Sequence, residues 1–183
     1  MRGGVARWKR GVGGSGIASA AAYAFGGACD SSHDHDLAKT DGTIAAARYA
    51  GATVERFVVT DEGIAVDALD VDRLQVWFSG ADPETGERRG RDLSSPATDQ
   101  VLDATINAPK SVSLAAVLDP ELASAYEARQ DRLRDRIITM WQEELNARRG
   151  QAGRDREDLA QIEVVELRHE RSRALDAHKH RHL

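Results

Sequence analysis

Residues 162–183 read IEVVELRHERSRALDAHKHRHL: a run rich in Val and Ile leads straight into His169, a polar interval follows, and histidines then stand at every other position. Successive side chains of a strand point to opposite faces, so histidines at period two fix the local conformation such a segment must take. With 172–177 (SRALDA) as the turn, the flanking segments become antiparallel neighbours. His178, His180 and His182 then share a face, and His169 joins them from across the ladder, bringing three imidazoles toward one point.

Three neutral imidazoles leave coordination positions open on a divalent cation, which suits a catalytic rather than a structural site. Acids nearby can orient such rings through their second nitrogen. A bare H-x-H pattern also fits a solvated basic terminus or a fragment of a purification tag, but Ser172, Arg173 and Asp176 in the turn argue against a tag. Across 168–182 five basic residues face two acidic ones, so this stretch reads as a local cationic patch.

The rest of the composition narrows the class. With 183 residues, 41% of them hydrophobic, the chain can build one domain with a real core. A net charge of -5 argues against a protein that coats nucleic acid through bulk electrostatics. The lone cysteine, Cys29, excludes an internal disulfide framework and fits a reducing, cytoplasmic setting. The basic start followed by Ala and Gly superficially suggests a signal peptide, yet no apolar run approaches the roughly 20 residues of a membrane span, and the N-terminus reads as soluble.

Along the chain, the pattern predicts a short helix over 16–25, a polar loop and an Ala-rich segment over 44–49. A hairpin follows over 56–66 around Asp61-Glu62-Gly63, then a helix over 69–79 and a loop over 80–99. A strand is expected over 100–106, and a helix that begins near Pro109 and ends near Leu118. Asp119-Pro120 then caps and opens the longest helix, with Leu122, Tyr126, Leu133, Ile137, Met140, Trp141 and Leu145 as its buried stripe and its Arg and Asp residues outward. RRGQAGRDRED reads as a charged loop. The expected fold is α+β, with a central antiparallel sheet, the histidines on two adjacent central strands, and helices covering one face.

Two motifs carry a resemblance. His169, Ser172, Arg173, Asp176, His180 and His182 fill, in register, the signature H-x-x-S-R-x-x-D-x-x-x-H-x-H, and residues 108–113 read A-P-K-S-V-S at the start of a helix. In these the chain resembles the MobF-type (TrwC/TraI-like) conjugative relaxases of the HUH endonuclease superfamily, across about residues 77–183. The loop over 80–87 (GADPETGE) also looks familial. Asp103 matches an acidic residue that lies beside the metal site in that family.

The resemblance implies site- and strand-specific nicking and rejoining of DNA at a plasmid transfer origin, through a covalent 5'-phosphotyrosine. It implies a palm-like sheet and a divalent metal (Mg, Mn or Zn) held by His169, His180 and His182. Asp103 would orient a histidine or accept a proton, and Lys110 would neutralise a phosphate. The partners implied are single-stranded or hairpin DNA of a transfer origin and accessory relaxosome proteins. Arg171, Arg173 and Arg181 are candidate DNA contacts, with Arg7, Lys9, Arg10, Arg88 and Arg89 behind them.

The nucleophile is expected early in the chain. Tyr23 matches the family's first tyrosine position best and Tyr49 stands behind it; where a pair of tyrosines is usual the sequence has Ser32-His33-Asp34-His35-Asp36. His33 and His35 read as a solvated loop rather than a second metal site. The family's strand continues past the last histidine, so residues 1–183 read as a relaxase domain cut short there, without a helicase domain. Two other functions are compatible with the residues: a catalytically inactive DNA-binding remnant, and a metal-binding protein unrelated to DNA.

Overall fold

The computed structural model describes residues 2–11, 54–90, 95–171 and 176–183. The helix expected over 16–25, the Ala-rich segment, Tyr23, Tyr49, Cys29, His33, His35 and Arg173 lie outside them.

Eight strands and three α-helices are present among the described residues. They follow the order β1 (Arg2–Lys9), β2 (Val54–Thr60), β3 (Gly63–Leu69), α1 (Val71–Phe78), β4 (Asp99–Asn107), α2 (Lys110–Leu118), α3 (Pro120–Glu144), β5 (Asn146–Arg149), β6 (Asp155–Asp158), β7 (Gln161–Arg171) and β8 (Ala177–His182). Six strands form one antiparallel sheet in the order β1-β4-β8-β7-β2-β3, so the histidine-bearing strands occupy its centre, as expected.

Local chemistry explains where the elements begin. Gly63, at φ 146°, lets β2 turn directly into β3. Asp70 caps α1 by accepting the Arg73 N–H at 2.8 Å. Asp119 does the same for α3, accepting from Glu121 and Leu122 at 3.0 and 3.1 Å, with Pro120 at the first helical position.

Period two then divides the core. Val165 and Leu167 of β7 point to one side, where they pack with Val54, Leu69 and, from α1, Leu74 and Phe78. Ile162 and Val164 point to the other, against Phe57, Val59, Ile106 and Ile138 of α3. Helices therefore cover both faces rather than one: α1 is short and spans only part of its side, which leaves the same face open farther along for the histidines.

Two further expectations change. The stretch read as a charged loop forms a small separate ladder, β5 with β6, whose residues are almost all polar and carry no alternation to betray a strand. In α3 the buried line runs through Gln130, Arg134 and Ile138, while Leu122, Met140 and Leu145 of the expected stripe are exposed. Arg134 turns inward because a buried carboxylate, Glu166 of β7, needs a cation.

The strand β8 pairs with only part of its neighbours: with 105–107 of β4 and with 167–171 of β7. Beyond those pairs, between β4 and β7, lies a mainly apolar cavity of about 230 Å³, walled in part by Trp8, Trp77, Val101, Val164 and Leu183, with Asp103 and His182 at its polar edge.

Candidate metal centre

His169 pairs directly with His180 across the β7–β8 ladder, and His182 pairs with Leu167, two residues before His169 on the same face. The three rings therefore meet, with centroids 5.0 Å apart for His169–His180, 5.3 Å for His169–His182 and 5.4 Å for His180–His182. Just past this point the β7–β8 register shifts, a bulge of the kind that re-aims side chains near sites. His178 lies on the flank, its ring 5.1 Å from that of His180.

The ring nitrogens are partly assigned by their neighbours. A carbonyl oxygen only accepts, so the 3.0 Å contact of His180 Nδ1 with the His178 carbonyl places the proton on Nδ1 and leaves Nε2 with a lone pair. His182 Nδ1 lies 2.8 Å from Asp103 Oδ1. Burial, with the neighbouring His180 and His182, pushes the His169 imidazole down to about 4 against an opposing pull from Asp103. Burial also lowers His180, although its hydrogen bond to the His178 carbonyl works the other way.

Burial keeps His169 and His180 uncharged and Nδ1 is engaged on His180 and His182, which is the chemistry a divalent cation requires. The donor set fits such an ion. Among the described residues no three donors are already drawn to one coordination point, so the rings converge less tightly than the alternation alone suggests.

Of the other predicted site residues, Asp103 joins the histidines. Asp103 is buried and holds His182 on one oxygen and the Trp8 indole on the other. Lys110, exposed at the start of α2, forms an ion pair with Asp176, so the two sequence motifs touch through their own charges. The alcohol of Ser113 in the same motif accepts the backbone N–H of Lys179 at 2.9 Å, tying α2 to β8.

Arg181 is not a surface cation. Its side chain is 4% exposed and bridges Asp131 and Glu166, each at 2.7 Å, as well as Glu127. The alternation that sends His180 and His182 to one face sends Arg181 to the other, under α3. Nor are Arg168 and Lys179 free cations: Arg168 pairs with Glu166 and Glu55, and Lys179 with Glu127 and Glu170. Tyr126, near this cluster, is shifted up by burial and by Glu127, which disfavours the phenolate.

Sequence reasoning missed Trp8 and Glu166. Trp8 stands in a basic N-terminal stretch with no motif around it. Glu166 is one acid within the apolar half of β7, and only the register reveals that Arg134, Arg168 and Arg181 surround it.

The sequence pattern of the TrwC relaxase family matches residues 28–183, which include every residue of both motifs. The chain belongs to the TrwC relaxase family. Among solved structures it is similar to the conjugative relaxase TrwC in complex with oriT DNA in a copper-bound form, at 24% identity and a TM-score of 0.64, covering 99% of this chain and 56% of that one. A metal-bound TrwC–oriT DNA structure gives 24% identity and 0.64, covering 99% and 55%. TrwC with a 27-mer DNA comprising the recognition hairpin and the cleavage site gives 23% and 0.64, covering 99% and 54%.

This chain thus spans about half the length of the solved TrwC chains. No curated protein matches it significantly. No helix among the described residues of this TrwC-family chain is long and apolar enough to cross a membrane.

Proposed function

We propose that this chain nicks and rejoins single-stranded DNA at a transfer origin, with accessory proteins of the transfer machinery, in the cytoplasm. The observation that carries the reading is the convergence of His169, His180 and His182 in front of a buried carboxylate, on the sheet of a TrwC-family domain. A divalent cation (Mg, Mn or Zn) held by the three histidines would draw charge from a non-bridging oxygen of the scissile phosphate.

The protein's own groups prepare that chemistry. Burial keeps His169 and His180 neutral, so the donors need not first lose a proton. Both oxygens of Asp103 are occupied, which favours its role as an orienter of His182 over that of a proton acceptor. Lys110 offers a cation at the start of α2, held by Asp176 until a phosphate competes for it. Arg171 and Arg173 serve as further phosphate contacts, and recognition of the hairpin and its flanking single strand rests on backbone contacts and base stacking.

The nucleophile is the Tyr23 hydroxyl, with Tyr49 as the second candidate. Its oxygen attacks the scissile phosphorus as the bond to the 3' oxygen breaks; the phenol gives up its proton to solvent, and the departing 3' oxygen takes one up from solvent to leave as a hydroxyl. Attack by that hydroxyl reverses the step and rejoins the strand.

Labelled single-stranded origin-region oligonucleotides incubated with the protein and Mg²⁺ or Mn²⁺ should give a covalent protein–DNA band on a denaturing gel. The band should vanish with Tyr23→Phe and with His180→Ala. Folded protein that binds the DNA without forming the band would instead be a non-catalytic binding module.

A further inference from the structure

Asp103 is flanked on both sides by same-face neighbours. It pairs with Ala6, two residues from Trp8, and lies two residues from Thr105, which pairs with His182. At that diagonal spacing long side chains reach each other across a sheet. The Trp8 indole Nε1–H donates to Asp103 Oδ2 at 3.0 Å, while Oδ1 takes His182 Nδ1 at 2.8 Å.

The terminal torsion of a carboxylate is soft, so an aspartate held at one oxygen alone orients a histidine poorly. Trp8 removes that freedom. Its indole is itself fixed, lying nearly parallel to the Phe78 ring with centroids 6.4 Å apart, and the β1–β4 register shifts immediately after it. An indole N–H only donates, so it can hold this carboxylate solely as an acceptor.

We propose that Trp8 is a positioning residue of the metal centre: its indole N–H clamps Asp103, so that His182 carries its proton on Nδ1 and presents Nε2 toward His169 and His180. Trp8 acts on the metal only through Asp103. The inference rests on the reading of the three histidines as a divalent-cation site.

The test is calorimetric titration of metal-free protein with Mn²⁺ for the wild type, Trp8→Phe, Asp103→Ala and the double variant. Phenylalanine keeps the ring and removes the donor. Trp8→Phe should weaken Mn²⁺ binding roughly three- to tenfold, below the range typical for losing a direct partner of a ligand. It should add nothing in the Asp103→Ala background, where there is no carboxylate to clamp. Unchanged affinity, or an undiminished loss in that background, overturns the proposal.

A second measurement needs no variant: the ring-nitrogen NMR shifts of His182 in the metal-free wild type. A protonated Nδ1 supports the clamp and a protonated Nε2 overturns it, even if Trp8→Phe does not fold. A wild type that takes up no Mn²⁺ ends the metal reading, and the tautomer still decides the clamp.

Discussion

The two faces of the β7–β8 pair both carry ionisable groups and treat them in opposite ways. On one face His169, His180 and His182 lie against one another and, at His182, against a single carboxylate; burial holds His169 and His180 uncharged. On the other face Arg134, Arg168 and Arg181 surround Glu166, whose side chain is 0% exposed, and the carboxylates of Asp131 and Glu127 complete the network. A charged group taken out of water needs partners, whereas a neutral imidazole keeps a lone pair to offer. One strand pair therefore supports itself on one side and presents chemistry on the other.

The sharpest way to break this division is at Glu166. Its removal leaves Arg134 and Arg181 without the buried carboxylate between them, a class of change that costs about 3–5 kcal/mol. Glu166→Gln should lower stability by that order in denaturant unfolding, and whatever remains folded should bind Mn²⁺ normally. A variant of wild-type stability would show that the arginine face is not a support.

Next in size is the pH response of the metal-free protein. His169 and His180 have folded pKa values below their unfolded ones, so the unfolded chain takes up protons first as pH falls. Their contribution to stability is complete above about 6.5 and is lost on the way down toward about 4. Burial pushes Glu127 and Asp131 up, but Lys179 and Arg181 at Glu127, and Arg181, Arg168 and Arg134 at Asp131, together hold them below the ordinary carboxylate range, which adds a loss of the same sign at lower pH. Thermal unfolding from pH 7 to 4 should show a falling midpoint, and a flat profile would contradict burial of neutral imidazoles.

The smallest effect belongs to Arg168, whose side chain is 41% exposed. Arg168→Ala should cost no more than about 1 kcal/mol, since solvent screens a pair so open. A loss as large as that of Glu166→Gln would mean that the network is organised around Arg168 instead of Arg181.

The same comparison explains what the sequence made legible. The central strands, the hairpin over β2 and β3, the cap at Asp119 and the histidine convergence all follow from period two and from short local signals, so they could be read directly. The inward turn of Arg134 and the burial of Arg181 could not, because both depend on Glu166 and hence on register between elements distant in sequence. Arg181 looked like a DNA contact because charge was counted along the chain; the ladder shows that it faces α3. Strands β5 and β6 were missed for another reason, having no apolar alternation to give them away. Lys110 and Asp176 were each recognised from a motif, yet their pairing appears only when α2 is set beside the start of β8.

His180 and Arg181 are consecutive residues that point to opposite faces, so one pair of variants tests the whole account. Mn²⁺ titration and denaturant unfolding would be run on His180→Ala and Arg181→Met. The account predicts that His180→Ala loses Mn²⁺ binding while largely keeping its unfolding midpoint, and that Arg181→Met loses stability while its folded fraction binds Mn²⁺ like the wild type. If both variants lost stability and metal affinity together, or if His180→Ala bound Mn²⁺ undiminished, the division between the two faces would be wrong.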